Sequence, residues 1–418
     1  RDQGKNLKAE EVFAIKKKIL AYMLIIVLSA GTAGCSSRDI EEAADLFRET
    51  VQDTLNTGKE NAEEDTKEIP EKEITQEQSA YYYGYSTLDE ESRKVYRQLA
   101  AGIESFQEKI PIDPISQEQL EKVMRVLMAD HPEYFWTDGT SSYTYQELPG
   151  GSIQNMEVQP EYQVAGQEAR DLQNQIEAKA DQWIQGAPQG DTYERIKYVY
   201  ETLIDQVEYQ EDSPQNQNIR SVFLEGKTVC MGYSKAAQYL LNRMGIFCTL
   251  VTGTVTGEKP SSHAWNLVKI KDQYYYMDVT WGNPGYLNPV ENDAYISYSY
   301  LCCNWDTLAP THVPDDTIPL PSCEDDSYNY YKNKGRWYDS FDWDQIYQVI
   351  QSDLVQGAEM TELRFAGEES YATATEALVD GNLIQEAVQN STAVAPGQMF
   401  SWQTYYGGSD YLIIIVWQ

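Results

Sequence analysis

Gly226-Lys227-Thr228-Val229-Cys230-Met231-Gly232-Tyr233-Ser234-Lys235 opens the stretch that decides the architecture of this chain. Beyond it Tyr233, Ala237, Leu240, Leu241 and Met244 recur at helical spacing, and Gly245 stands where a helix ends. The spacing predicts a helix with Cys230 in its first turn. The N-terminal end of a helix carries partial positive charge. That charge favours thiolate over thiol, and the thiolate is the nucleophile. A buried structural cysteine is the commoner fate of this residue type, so the motif needs partners before it reads as chemistry.

The partners stand downstream. Ser261-Ser262-His263-Ala264-Trp265-Asn266-Leu267-Val268 alternates as a strand does, Lys271-Asp272 marks a turn, and Tyr274 to Thr280 returns as an antiparallel strand. Such a hairpin puts His263 at the outer end of one strand and Asp278 near it on the neighbour. An imidazole acting as a base needs a carboxylate on its far nitrogen to fix its tautomer and orientation. The chain has only 3 His. His131 falls in a different predicted domain, and His312 lies in a Pro-rich loop with no acid at hairpin spacing, which leaves His263 as the candidate base.

Val229-Cys230-Met231-Gly232-Tyr233-Ser234, His263-Ala264-Trp265-Asn266 and Tyr276-Met277-Asp278-Val279-Thr280-Trp281, in that order, resemble the bacterial transglutaminase-like superfamily. The resemblance spans about Glu161 to Pro319. It implies an α+β fold: a papain-like core in which the Cys helix packs on an antiparallel sheet carrying His and Asp. It implies Cys230 as nucleophile, His263 as general base and later acid, and Asp278 as the residue that orients His263. Gln217 stands upstream where related sequences often have Gln and is the candidate oxyanion donor, with Gln215 beside it as a competitor. Trp265, Trp281 and Tyr233 are candidate substrate-contacting residues, with packing as the other reading. The family pattern often has an acid after Trp281, where this sequence has Gly282. Tyr298-Ser299-Tyr300-Leu301 and His312 fit the tail of such domains, where they finish the fold and take no part in chemistry.

Working outward, Lys16-Lys17-Lys18, an apolar run from Ile19 to Ala30, and Gly31-Thr32-Ala33-Gly34-Cys35 have the order of a secretory signal. The run is shorter than the ~20 residues a spanning helix needs. Cys after Ala-Gly resembles a bacterial lipobox, which implies lipidation at Cys35 and a place on the outer face of the cytoplasmic membrane. Residues 36–80 are polar and acidic and read as a disordered tether. Residues 81–160 read as a helical accessory domain, with helices over Leu88 to Ile110 and Ser116 to Ala129. His131 to Trp136 and Tyr143 to Tyr145 read as strands. Residues 161–325 are the core. Residues 326–418 read as a small α/β domain ending in a buried apolar strand, Tyr411 to Val416.

The 418 residues carry 32 Lys+Arg against 66 Asp+Glu, a formal net charge of -34. That field repels nucleic acid and anionic lipid headgroups. The six Cys (Cys35, Cys230, Cys248, Cys302, Cys303, Cys323) show no Cys-x-x-Cys pair, so neither a zinc site nor a disulfide framework is expected, and no metal or other cofactor is implied. Either of Cys302 and Cys303 is free to pair with Cys323 or to stay reduced. The expected activity is acyl transfer through a covalent thioester on peptides or proteins, cell-wall peptides among them. Water as acceptor makes a peptidase or amidase, and an amine makes a cross-linking transglutaminase. A catalytically silent binding module on the same scaffold is the competing reading.

Overall fold

The computed structural model describes residues 26–28, 69–148, 151–256, 260–283, 295–394, 400–406 and 410–418. The expected lipidation site, Cys35, and most of the signal and tether lie outside them. Among the described residues no helix is long and apolar enough to cross a membrane.

Two compact units emerge. The first comprises Leu88–Met128 and Trp136–Gln167 with the residues up to Gln76. Helix α1 (Glu90–Glu104) starts where the Asp89 carboxylate accepts from Ser92 N at 2.8 Å, and it buries Val95, Tyr96, Leu99 and Ile103. Helix α2 (Gln117–Asp130) buries Leu120, Val123, Met124 and Leu127. The segment read as a helical accessory domain also carries β2 (Ile110–Ile112), β3 (Ser141–Glu147, over the expected strand at Tyr143 to Tyr145) and β4 (Ile153–Pro160), which with β1 (Ile26–Leu28) form an antiparallel sheet in the order β1-β3-β4-β2. The three residues of β2 are too few to show a period in sequence. The His131 to Trp136 segment is turns, not the expected strand: Tyr134 N donates to His131 O, and the two rings stack at 4.3 Å between centroids. Stacking of residues three apart belongs to a turn, since a strand would place them on opposite faces.

The second unit comprises Glu77–Thr87, Ala129–Phe135 and Glu168–Gln418. Helices α3 (Gly166–Gln185) and α4 (Thr192–Gln206) precede two short parallel strands, β5 (Glu208–Tyr209) and β6 (Lys227–Thr228). Asp191 caps α4 by accepting from Glu194 N at 3.0 Å. Next come α5 (Cys230–Arg243), β7 (Cys248–Val255), β8 (Ser261–Ile270), β9 (Gln273–Met277) and β10 (His312–Pro314), with sheet order β10-β7-β8-β9. Gly245, at φ +74°, turns the chain out of α5 into β7. Helix α5 packs on β7 and β8. Asn266 Nδ2 tethers the two by donating to Ser234 O at 2.9 Å. Trp265 and Leu267 join a second layer with Val251, Tyr276, Trp281, Tyr300 and Leu308. With both faces covered, β8 is buried continuously from His263 to Val268, and each large apolar side chain so enclosed contributes roughly 1.5–3 kcal/mol.

The chain then adds β11 (Trp337–Tyr338), α6 (Trp343–Gln356), β12 (Met360–Phe365), α7 (Glu368–Thr375), α8 (Leu383–Gln389), β13 (Trp402–Tyr405) and β14 (Leu412–Trp417), with sheet order β11-β12-β14-β13. Ile413 and Ile415 pack with Ile346, Ile350 and Phe365, while Leu412 and Ile414 pack with Tyr331. Both faces of β14 are apolar because both are covered.

Candidate active site

Cys230 is the first residue of α5, after Val229 in extended conformation. It is partly exposed, whereas Cys248, Cys302, Cys303 and Cys323 are buried, and all five are free thiols. The helix start is clamped. Tyr233 OH donates to Val207 O at 2.5 Å and accepts from Asn283 Nδ2 at 2.8 Å. Gly232 is a steric necessity, since a Cβ there would overlap Thr228 Oγ1 and crowd Asn216 O and Ser221 Oγ. The loop before the helix is therefore drawn hard against its first turn.

His263 stands at the outer end of β8. Asp278 lies one residue past β9, where its N–H donates to Tyr300 O at 3.0 Å. The ladder pairs Asn266 with Met277, so its continuation would set Trp265, not His263, opposite Asp278. The carboxylate makes up the offset because the chain turns there: Asp278 Oδ1 accepts from Thr280 N at 2.9 Å and Trp281 N at 3.1 Å. This Asx turn aims Oδ2 at His263 Nε2, 2.7 Å away. Nε2 being taken, Nδ1 is the ring nitrogen left for Cys230, whose side chain is near enough to raise the imidazole's hold on its proton.

A second imidazole meets the same oxygen. His312 Nε2 is 3.0 Å from Asp278 Oδ2, and its Nδ1 is 2.8 Å from Thr311 Oγ1. His312 has no exposed surface. The sequence places His312 in the tail that finishes the fold; the structure brings it onto Asp278 as well. No local signal could have found it, because it reaches Asp278 from β10, on the other side of β7.

Burial alone would drive the His263 imidazole down and the Asp278 carboxyl up. The attraction between them overrides both effects, holding His263 up at about 10, with help from Cys230, and Asp278 far below the usual carboxylate range. The imidazolium therefore contributes stability that is fully present below its unfolded value of about 6.5 and is lost as pH rises toward about 10. The carboxylate contributes stability that is present above its unfolded value of about 3.9 and is lost as pH falls below it. The stability gap between the native chain and His263→Gln is thus expected to be widest from about pH 4 to 6.5 and to narrow at higher pH. Urea unfolding at stepped pH measures it, and a gap that stays flat to pH 10 would mean an uncharged pair.

The model of the family described as the transglutaminase-like superfamily matches residues 179–279, which include Cys230, His263 and Asp278. The chain carries a transglutaminase-like domain. No curated protein matches the chain. Similar solved structures include one described as a TGase, 13% identical over 37% of this chain and 47% of that one, at a TM-score of 0.25. Another is a candidate cysteine protease from Cytophaga hutchinsonii, 18% identical over 25% of this chain and 38% of that one, at 0.23. A third is menin, described with its binding site for the Mixed Lineage Leukemia protein, 13% identical over 68% of this chain and 48% of that one, at 0.23. The chain spans about half or less of the length of each.

Within the transglutaminase-like domain, the other expected site residues separate by burial. Trp265 and Tyr233 have no exposed surface and stand behind the site, whereas Trp281 is as little exposed as His263 itself. Trp265 stacks along His263 at 5.9 Å, and Trp281 lies 6.2 Å from the same ring. Gln217 is exposed, its amide donating to Asn216 Oδ1 at 3.0 Å. The carbonyl just before it, Asn216 O, accepts from Thr228 Oγ1 at 3.1 Å, which holds this loop beside the start of α5. Gly282 also has a structural reason. A Cβ there would strike the Tyr200 hydroxyl, so a buried tyrosine fills the space into which an acid would project.

Among the described residues, His263, Asp278 and His312 form the one group able to gather round a metal ion. Their nitrogen-to-oxygen separations of 2.7 and 3.0 Å are hydrogen-bond lengths. Two ligand atoms on a tetrahedral zinc stand about 3.3 Å apart, from bonds of about 2.05 Å. The cluster is built as two imidazole N–H groups converging on one carboxylate oxygen.

Proposed function

We propose that this chain is an exported thiol enzyme that cleaves amide bonds in peptides, with cell-wall peptides and surface proteins as the substrate class. One observation carries the reading: Asp278 occupies His263 Nε2 and so leaves Nδ1 to the partly exposed thiol at the start of α5. The Cys230 thiol gives its proton to His263 Nδ1, its sulfur attacks the amide carbonyl carbon, and an S–C bond forms as the carbonyl π pair moves to oxygen. The first N–H groups of a helix have no intrahelical partner, so the N–H of Cys230 is a donor for that oxyanion, with the Gln217 amide as a second. The C–N bond then breaks, the leaving nitrogen takes the proton from His263 Nδ1, and a thioester remains. Water, deprotonated by His263, releases the acid and restores the thiol. Hydrolysis is preferred over transamidation because it needs no second binding site.

Export supports this substrate class. Lys16 to Cys35 reads as a signal with a lipid-anchored cysteine, and cleavage before Cys35 would remove β1 and leave β2, β3 and β4 paired. The test incubates the mature chain with wall stem peptides or casein, with and without a labelled primary amine, and with Cys230→Ala as blank. New carboxylates above the blank are the expected result. Amine incorporation in excess of hydrolysis would make the protein a cross-linker. Neither product, with an unreactive Cys230, would make it a binding module.

A further inference from the structure

We propose that His312 is a positioning residue of this site, holding Asp278 in line with His263; the proposal rests on the thiol-enzyme reading above. Asp278 is fully buried and accepts from four N–H groups: Thr280 and Trp281 on Oδ1, His263 and His312 on Oδ2. A carboxylate that stays ionised is acceptor-only, so both imidazoles donate from Nε2. The other ring nitrogen, Nδ1, lies 2.8 Å from the Thr311 hydroxyl, which also reaches Leu308 O at 3.2 Å. Tyr300 OH is 3.3 Å from Thr311 Oγ1 and extends the contact by one more hydroxyl. Tyr300, Thr311, His312, Asp278 and His263 form one connected polar line that ends on the imidazole beside Cys230.

Simple packing does not account for this histidine. Its ring is boxed by Trp265 at 5.0 Å, Trp281 at 4.8 Å and Tyr300 at 5.4 Å, an aromatic enclosure that Phe or Leu would fill without burying two polar nitrogens. Those nitrogens are instead spent on the carboxylate that orients His263 and on Thr311. With His312 gone, Asp278 loses a donor inside a dry site, its charged form is less favoured, and Oδ2 is free to swing away from His263. The other ionisable groups facing Asp278 are Tyr200 and Cys303, both pushed up by burial and neutral through the accessible range, so neither replaces the lost donor.

The test follows alkylation of Cys230 by iodoacetamide from about pH 4 to pH 9 in the full chain, with mass mapping and with EDTA present. The variants are His312→Gln, His312→Asn, His312→Leu, Thr311→Val and His263→Ala. Partners one step behind a reactive group typically matter by 10- to 100-fold. His312→Asn and His312→Leu are expected to react about 10- to 100-fold more slowly near pH 6, with the acid limb moved to higher pH. His312→Gln places an amide N–H near the position of Nε2 and is expected to stay within about threefold of the native chain, with Thr311→Val between. If the leucine variant does not fold, the Gln and Asn pair carries the comparison. Native rate and profile in His312→Asn, or a His312→Gln as slow as His312→Asn, would overturn the positioning role alone. A native chain no faster than His263→Ala would overturn the enzyme reading and this role with it.

Discussion

Alanine at His263 is expected to slow alkylation of Cys230 near neutral pH by about 100-fold or more, the usual contribution of a positioned acid–base group. Among the five described cysteines the label should fall almost wholly on Cys230. Burial pushes Cys323 up to about 11 and the Cys248, Cys302 and Cys303 thiols higher still, so these four are neutral and enclosed at neutral pH. Among the described cysteines Cys230 is the partly exposed one, and it stands beside the His263 imidazole at the start of α5. The measurement is the residue-resolved rate with iodoacetamide, native against His263→Ala and Cys230→Ala. A Cys230 rate no faster than that of Cys323, or one indifferent to His263, would remove the chemical basis of the proposed function.

Asp278→Ala is expected to lose about 3–5 kcal/mol of stability together with the reactivity of Cys230. The carboxylate is the common acceptor of four buried N–H groups, and deleting it orphans all of them and leaves a charged imidazole without its partner. A loss of that size is a large fraction of the 5–15 kcal/mol that holds a typical domain together. Asp278→Asn separates the two effects. It keeps the volume and one acceptor oxygen, so its stability cost should be smaller. Its amide N–H2 opposes an imidazole N–H, so reactivity should still fall by about 10²- to 10⁴-fold. Urea midpoints and alkylation rates on the two variants report this. Equal stability losses with no change in Cys230 reactivity would make Asp278 a folding residue and nothing more.

The likeness to the transglutaminase-like superfamily, the start of α5 at Cys230, the end of that helix at Gly245 and the hairpin of β8 and β9 were all legible in the sequence. Each depends on neighbours within a few residues: helical spacing, a glycine at positive φ, strand alternation broken by Lys271-Asp272. The residue types at Cys230, His263 and Asp278 were legible for the same reason. The accessory segment was read less well. Its apolar helices show a clear period, but the short β2 does not, and His131 to Trp136 forms turns where the run of aromatics suggested a strand. Only the tertiary structure decided which groups touch. The two-residue offset between His263 and Asp278 is closed by an Asx turn, the space beside Gly282 is filled by Tyr200 from α4, and His312 reaches Asp278 across β7. Hydrogen bonds fall off within a fraction of an ångström, whereas sequence patterns locate a side chain only to a face. Contacts between groups 34 residues apart therefore belong to the packed chain and not to its local spacing.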